Sequence, residues 1–281
     1  MTSFNYENFI AQAVESVINQ TVPDWELLII DDGSKDNSVN IIKEYCQKDS
    51  RIKLLTHPHN SNKGLVKSVK YAVSQAQYDW IAFLESDDFW APEYLEEKIK
   101  FIEKYPQINF VYNDTLTFGN EQKQSSMAPY FERLYKLWQD KATQDVFNAF
   151  GEENIVPTFS CVMCKKDTFL SCNLNPVCEP LFDFWVWWQI SENNDFGFIN
   201  KKLTHWRFHK GSYLAKSMKT YKHHIERSLF ISKVTKLFKR QPKLCLQFSA
   251  EKNALISALE YTVIYIKRKI PCFIKDLFKA G

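Results

Sequence analysis

Trp25-Glu26-Leu27-Leu28-Ile29-Ile30-Asp31-Asp32-Gly33-Ser34 is an apolar run that ends in two carboxylates and a turn. About 50 residues on, Trp80-Ile81-Ala82-Phe83-Leu84-Glu85-Ser86-Asp87-Asp88 repeats the arrangement. Short apolar runs bounded by turn residues read as buried strands. Carboxylates at the carboxyl ends of neighbouring parallel strands face the crevice where open α/β sheets bind ligands. Packed there without a counter-ion, they repel and raise one another's pKa. A divalent cation relieves that repulsion, and Mg²⁺ or Mn²⁺ on carboxylates is the usual companion of a diphosphate. The pattern points to a nucleotide-diphosphate site.

Strands and helices alternate outward from these two runs. A helix is expected over 7–19, with Ile10, Ala13, Val14 and Val17 on one face, and another over 37–47 behind Asp36-Asn37-Ser38. A strand at 51–56 precedes a helix over 64–74, and Pro92 opens a helix that runs to about Tyr105. Residues 108–112 read as a strand, 129–150 as helical or irregular, and 181–192 as a helix. Residues 196–199 and 203–208 read as two short strands. Strands alternating with helices of about 10–15 residues predict a mainly parallel sheet. Beyond Met218 helices are expected over 219–240 and 251–269, interrupted near Gln241-Pro242 and ended by Ile270-Pro271.

Composition is compatible with this without requiring it. The 281 residues suffice for one α/β domain and an appendage. The net charge of +3 hides an asymmetry: from Lys216 onward there are 15 Lys and Arg against 4 Asp and Glu, a local +11. An acidic body with a basic tail suits work beside an anionic membrane surface. No apolar run approaches the ~20 residues that span a bilayer, and no signal segment opens the chain, so a cytoplasmic protein is expected. The odd number of Cys, 7, argues against a disulfide framework. A zinc site from Cys161, Cys164, Cys172 and Cys178 is disfavoured, because the spacing of the first two puts them on opposite faces of a strand. The chain lacks the Gly-rich phosphate loop of other Mg²⁺-dependent phosphoryl enzymes. Its basic residues lie without an aromatic stacking module, which leaves nucleic acid the weakest class of partner.

Asn5-Tyr6-Glu7-Asn8-Phe9-Ile10, Glu15-Ser16-Val17-Ile18-Asn19-Gln20-Thr21, Trp25-Glu26-Leu27, Asp31-Asp32-Gly33-Ser34-Lys35-Asp36 and Glu85-Ser86-Asp87-Asp88 resemble, in that order, a family 2 glycosyltransferase of the GT-A fold. The likeness is dense from residue 2 to about 118 and resumes between about 155 and 214. It implies a catalytic domain over 1–215, an α/β nucleotide-diphospho-sugar transferase with a mainly parallel sheet, followed by a basic helical extension over 216–281. The implied reaction is a metal-dependent, inverting transfer from a nucleotide-diphosphate sugar to a saccharide or lipid-linked acceptor. The expected setting is bacterial surface polysaccharide synthesis on the inner face of the membrane.

The resemblance also implies roles. Asp31 and Asp32 would hold the base and ribose, with Asn62 and Gly64 of Asn62-Lys63-Gly64 close by. Glu85-x-Asp87 stands for the Asp-x-Asp metal motif, with Glu85 and Ser86 on the nucleotide and Asp87 the better ligand for Mn²⁺ or Mg²⁺. Asp88 and Trp90 would face the acceptor. His209, in Trp206-Arg207-Phe208-His209-Lys210-Gly211-Ser212, would approach the metal or diphosphate. The catalytic base would come from Glu179-Pro180-Leu181-Phe182-Asp183-Phe184-Trp185. Asp183 ranks ahead of Glu179 because it keeps the register to Trp185.

One departure stands out. Such proteins open with an apolar strand that runs into the turn resembled by Thr2-Ser3-Phe4-Asn5, and here only Met1 precedes it. The expectation is a reading frame that begins upstream or a truncated gene, with an open slot between the strands at 25–30 and 80–85. A catalytically impaired nucleotide-sugar-binding protein is therefore the alternative reading.

Overall fold

Apolar residues at helical spacing set the first layer: Ile10, Ala13, Val14 and Val17 are the buried face of α1 (Ile10–Ile18). The computed structural model describes residues 1–139, 146–151, 153–213, 229–230 and 233–239. Almost all of the expected basic extension, with its two helices, lies outside the described residues.

β1 (Thr2–Ser3), β2 (Leu27–Asp31) and β3 (Ile52–Thr56) form a three-stranded parallel sheet in that order. α2 (Ser38–Lys48) and α3 (Leu65–Gln75) alternate with these strands as their periodicity requires. A second sheet has the order β4-β7-β6-β8-β5. Its members are β4 (Trp80–Ala82), β5 (Phe89–Trp90), β6 (Phe110–Gly119), β7 (Val162–Lys165) and β8 (Phe196–Phe208). The first sheet is parallel throughout, as the alternation predicts, but the second is mixed. β7 runs antiparallel to both β4 and β6, β5 runs antiparallel to β8, and β6 and β8 are parallel.

The two strands expected at 196–199 and 203–208 are one. The register with β6 jumps from Asn113↔Ile199 to Asp114↔Lys202, so the exposed residues 200 and 201 bulge out and pairing resumes. α4 (Tyr94–Lys104), α5 (Glu121–Gln139), α6 (Val146–Phe150), α7 (Lys166–Leu170) and α8 (Phe182–Ser191) complete the described elements used below. α8 is apolar on every side and is correspondingly enclosed: Phe182, Trp185, Val186, Trp187, Trp188 and Ile190 are all buried. Cys161 and Cys164, expected on opposite faces, are both buried and free.

Thr2 pairs with Ile30 on one side and forms a bridge to Glu85 on the other, so β1 is the seam between the two sheets. This seam is only two residues long. Behind it lies a cavity of about 370 Å³ lined by Leu27 and Leu28 of β2, by Trp80–Ala82 of β4, and by apolar side chains of α3 and α4. The open slot expected between the neighbouring strands is therefore present.

Candidate active site

Asp31 ends β2, and its carboxylate is consumed by the turn beyond it. Oδ1 accepts from the Gly33 N–H at 3.0 Å and the Ser34 N–H at 2.8 Å, and Oδ2 accepts from the Ser34 hydroxyl at 2.5 Å. Gly33 has φ +85°, and a Cβ there would stand 2.8 Å from Asn60 O, so the turn needs glycine both for its dihedral and for room. Asp32 faces the opposite way. Its two oxygens accept from the Lys63 N–H at 2.7 Å and the Gly64 N–H at 2.9 Å. His57 Nε2 lies 3.6 Å from Asp32 Oδ1 and 2.9 Å from the Ser68 hydroxyl. Of the two carboxylates expected on the base and ribose, Asp31 thus braces its own turn and Asp32 ties that turn to the 57–64 loop. Asn62 is exposed on that loop.

Gly64, with φ +89°, admits Glu179 so closely that a Cβ would meet its Oε1 at 2.7 Å. That oxygen accepts from the Val66 N–H at 3.2 Å, in the first turn of α3. Glu179 also takes a hydrogen bond from the Tyr213 hydroxyl. Its carboxylate is placed to complement the positive end of a helix.

The end of β4 differs. Glu85, Asp87 and Asp88 each offer a carboxylate oxygen within 4.8 Å of the others, and no other such group of three occurs among the described residues. Burial first, and then repulsion from Asp87, push Glu85 and Asp88 well above the usual carboxylate range; Asp88 and Asp183 add to the effect on Glu85. Asp88 is held from within the protein: Oδ2 accepts from the Ser160 hydroxyl at 2.6 Å and Oδ1 from the Arg207 N–H at 2.9 Å. Asp87 Oδ2 lies 2.9 Å from His209 Nε2, and Tyr6 donates a hydrogen bond to the same carboxylate. Arg207 Nε donates to Asp87 O at 2.8 Å, its guanidinium lying over the rings of Phe9 and Phe118. The His209 ring packs on Phe9 at 4.8 Å. The end of β8 and His209 just beyond it therefore reach the carboxylates from the second sheet.

Asp183 occupies the first turn of α8. Oδ1 accepts from the Phe184 N–H at 2.7 Å and Oδ2 from Asn154 Nδ2 at 3.2 Å. Loss of water around it pushes this carboxyl up to about 6. Its charge also helps to raise Glu85, after burial, Asp87 and Asp88.

Trp90 points elsewhere than expected, and Ser86 is enclosed. Trp90 is not on an open acceptor face: it is buried, stacks on Tyr94 at 4.0 Å and donates from Nε1 to Ser160 O at 2.7 Å. An indole at the end of an apolar strand finds its partner in the core. Ser86 is fully buried, and its hydroxyl has no partner among the described residues. Conversely, Tyr6, Ser160 and Arg207 help to build the site without having been singled out by sequence. Tyr6 and Arg207 stood inside the quoted motifs, the latter two positions before His209, whereas Ser160 carried no signal of this kind.

A family-wide sequence profile described as glycosyl transferase family 2 matches residues 1–169. A second, paired amphipathic helix repeat, matches only 215–250. The chain is 32% identical over 203 residues to UDP-Glc:alpha-D-GlcNAc-diphosphoundecaprenol beta-1,3-glucosyltransferase WfgD of Escherichia coli, covering 71% of each protein. Among solved structures it is similar to S. aureus TarS 1-349 in complex with UDP-GlcNAc, with TM-score 0.63, 15% identity, and coverage of 96% of this chain and 75% of that one. It is likewise similar to the mannosyltransferase PcManGT from Pyrobaculum calidifontis in complex with GDP-Man and Mn²⁺, with TM-score 0.60, 11% identity, and coverage of 100% and 77%.

Proposed function

The chain belongs to glycosyl transferase family 2 and is a glycosyltransferase of the GT-A fold, and we propose that it transfers a sugar with inversion from a nucleoside-diphosphate donor to a hydroxyl of a saccharide or lipid-linked acceptor. The observation that supports this reading most is the crowding of the carboxylates of Glu85, Asp87 and Asp88, with Asp183, pushed up to about 6, adding to the negative charge felt at Glu85. The donor set fits a hard divalent cation, since it is made of carboxylate oxygens whose mutual repulsion at Glu85 no lysine or arginine among the described residues relieves. Asp87 and Glu85, with His209 beside Asp87, would hold Mn²⁺ or Mg²⁺, which when bound offsets the charge developing on a leaving diphosphate.

The remaining work belongs to side chains. Asp183 takes the proton of the attacking hydroxyl, and Asn154 and the Phe184 N–H fix its carboxylate for that purpose. Arg207 adds a positive charge on the same side while its backbone and Nε lock Asp88 and Asp87. Asp31 and Asp32 shape the donor pocket by rigidifying the β2 turn and the 57–64 loop. Glu179 starts α3 and does not move a proton. Asp88, held by Ser160 and Arg207, orients the cluster from below.

The WfgD name supports a lipid-linked acceptor. It joins a β-linkage to a saccharide on diphosphoundecaprenol, and a β-product from an α-linked nucleotide sugar requires inversion. A comparable lipid-linked acceptor would place this enzyme at an inner membrane face, in surface polysaccharide synthesis. The +11 extension would favour anionic lipids there. Among the described residues, no helix is long and apolar enough to cross a membrane.

The test is a panel of UDP- and GDP-sugars with and without MnCl₂, read by thermal unfolding and then by transfer to a synthetic lipid-diphosphate saccharide. One donor should stabilise the protein only with Mn²⁺, by about 2.7 kcal/mol at a hundred times its Kd, and the product should carry the inverted anomer. A retained anomer rejects the assignment of Asp183 as base.

A further inference from the structure

Phe159–Cys161 is a single 3₁₀ turn just ahead of β7, outside the ladder pairs of that strand. Buried carbonyls so placed need partners from elsewhere. Three successive ones take them from side chains. Ser160 O accepts from Trp90 Nε1 at 2.7 Å, Cys161 O from Lys98 Nζ at 2.9 Å, and Val162 O from the Tyr94 hydroxyl at 3.2 Å. Trp90 belongs to β5, whereas Tyr94 and Lys98 stand one turn apart on the same face of α4.

Lys98 is the unusual member of this set. It is fully buried and reaches a second carbonyl, Val111 O of β6, at 3.1 Å. No carboxylate among the described residues offsets its burial, which lowers the amine to about 7. An uncharged amine has two N–H groups, and two carbonyls are there to take them. A methionine would fill the same space at less cost in desolvation, so the two hydrogen bonds are what lysine adds.

The other side of the turn meets the acidic cluster. Glu85 to Asp88 is itself a tight turn, closed by the Asp88 N–H on Glu85 O at 3.1 Å. The Ser160 hydroxyl spans it, accepting from the Glu85 N–H at 3.0 Å and donating to Asp88 Oδ2 at 2.6 Å. One side chain thereby ties the first residue of the cluster to the last, with Asp87 between them. We propose that Lys98 and Ser160 are positioning residues for the acidic cluster: Lys98 fixes the 159–161 turn through the Cys161 carbonyl, and Ser160 fastens that turn to both ends of Glu85–Asp88. Their role rests on the cation site proposed above. Neither side chain touches the ion, and both set the spacing of the carboxylates that would hold it.

The experiment compares the full chain with Ser160→Ala, Ser160→Thr, Lys98→Met and the Ser160→Ala/Lys98→Met double variant. Lys98→Gln, which still reaches one carbonyl, replaces Lys98→Met if that variant does not fold. Ser191→Ala is the control, since Ser191 is also buried but donates within its own helix to Trp188 O. Two quantities are read per folded molecule: hydrogen exchange of the Glu85 amide without metal, and Mn²⁺ affinity by electron paramagnetic resonance with UDP present. Ser160→Ala should speed the exchange at least about 10-fold. It should weaken Mn²⁺ by ~10–100-fold, the usual loss when the partner of a metal-holding side chain is removed. Ser160→Thr keeps the hydroxyl and should restore both readings to within about 3-fold of wild type. Lys98→Met should move both in the same direction by less, and the double variant should be no weaker than Ser160→Ala alone, because the two side chains act along one path. Ser191→Ala should move neither. Unchanged exchange and Mn²⁺ affinity in Ser160→Ala overturn the proposal. Additive losses in the double variant, or a Lys98→Met that lowers only the unfolding midpoint, overturn the part of Lys98. A wild type that leaves Mn²⁺ free rejects the cation site instead, and the Glu85 amide then decides alone whether the two side chains order the turn.

Discussion

The two acidic clusters follow strands on either side of β1 and look alike in sequence, yet their carboxylates are held differently. Asp31 and Asp32 are satisfied by backbone N–H groups of Gly33, Ser34, Lys63 and Gly64. Asp31 braces its own turn, and Asp32 fastens the backbone of residues 63 and 64. Glu85, Asp87 and Asp88 are crowded together, and burial and mutual repulsion raise Glu85 and Asp88. They are reactive in the sense that a bound cation would lower their energy. The difference comes from the path of the chain beyond each strand. After β2, a glycine turn curls its N–H groups back onto Asp31, whereas after β4 the chain passes into β5 and leaves the carboxylates facing one another.

The sharpest break of this comparison is at the base. Asp183→Asn should cut turnover by ~10²–10⁴-fold with donor affinity little changed, since it removes a proton acceptor and keeps the shape. Steady-state kinetics beside donor binding decide it. An active Asp183→Asn with a dead Glu179→Gln exchanges the two roles.

Next comes the architectural pair. Asp31→Ala strands three hydrogen-bond donors, two of them backbone amides of the turn, at a cost of ~1–3 kcal/mol per unsatisfied buried group. Urea unfolding should show a lower midpoint, while Mn²⁺ binding, once corrected for folded fraction, should stay. Loss of Mn²⁺ binding in fully folded Asp31→Ala would merge the two clusters into one site.

The pH dependence is a smaller effect with a definite sign. Asp183 is raised to about 6 by burial, against ~3.9 for an exposed Asp. As a base it must be ionised, so kcat/KM should fall as pH drops through about 6, and Asp183→Asn should lose that limb. For stability the sign is reversed. The folded state holds this proton more tightly than the unfolded chain, so the group's favourable contribution is present at acid pH and is lost as pH rises through about 6. A wild-type profile with no limb near that value removes Asp183 from the rate equation.

The smallest expected effect is at Glu179. Glu179→Gln keeps an oxygen for the Val66 N–H but loses the charge at the start of α3, a matter of ~0.3–1 kcal/mol. Thermal unfolding should register it, with turnover within a few-fold of wild type.

The strands at 27–31 and 52–56 and the four helices α1 to α4 were legible in the sequence because one-sided burial writes a period into the chain. The carboxylates were legible because they close apolar runs. The pairing of Arg207 with Asp87 and Asp88 was not, because it joins residues about 120 positions apart through the mixed order of the second sheet. β8 was read as two strands because a bulge at its polar middle imitates a turn. Trp90 was misplaced for a related reason: position next to an acidic motif says nothing about which way a side chain faces, and the alternation of β5 sends this one to the core.

The division of labour between the clusters is tested most directly by the Mn²⁺ electron paramagnetic resonance signal, titrated with protein in the presence of UDP. Wild type and Asp31→Ala should quench the free-ion signal with similar affinity per folded molecule, and Asp87→Asn should leave it unquenched while remaining folded. Undiminished quenching by folded Asp87→Asn would contradict the account.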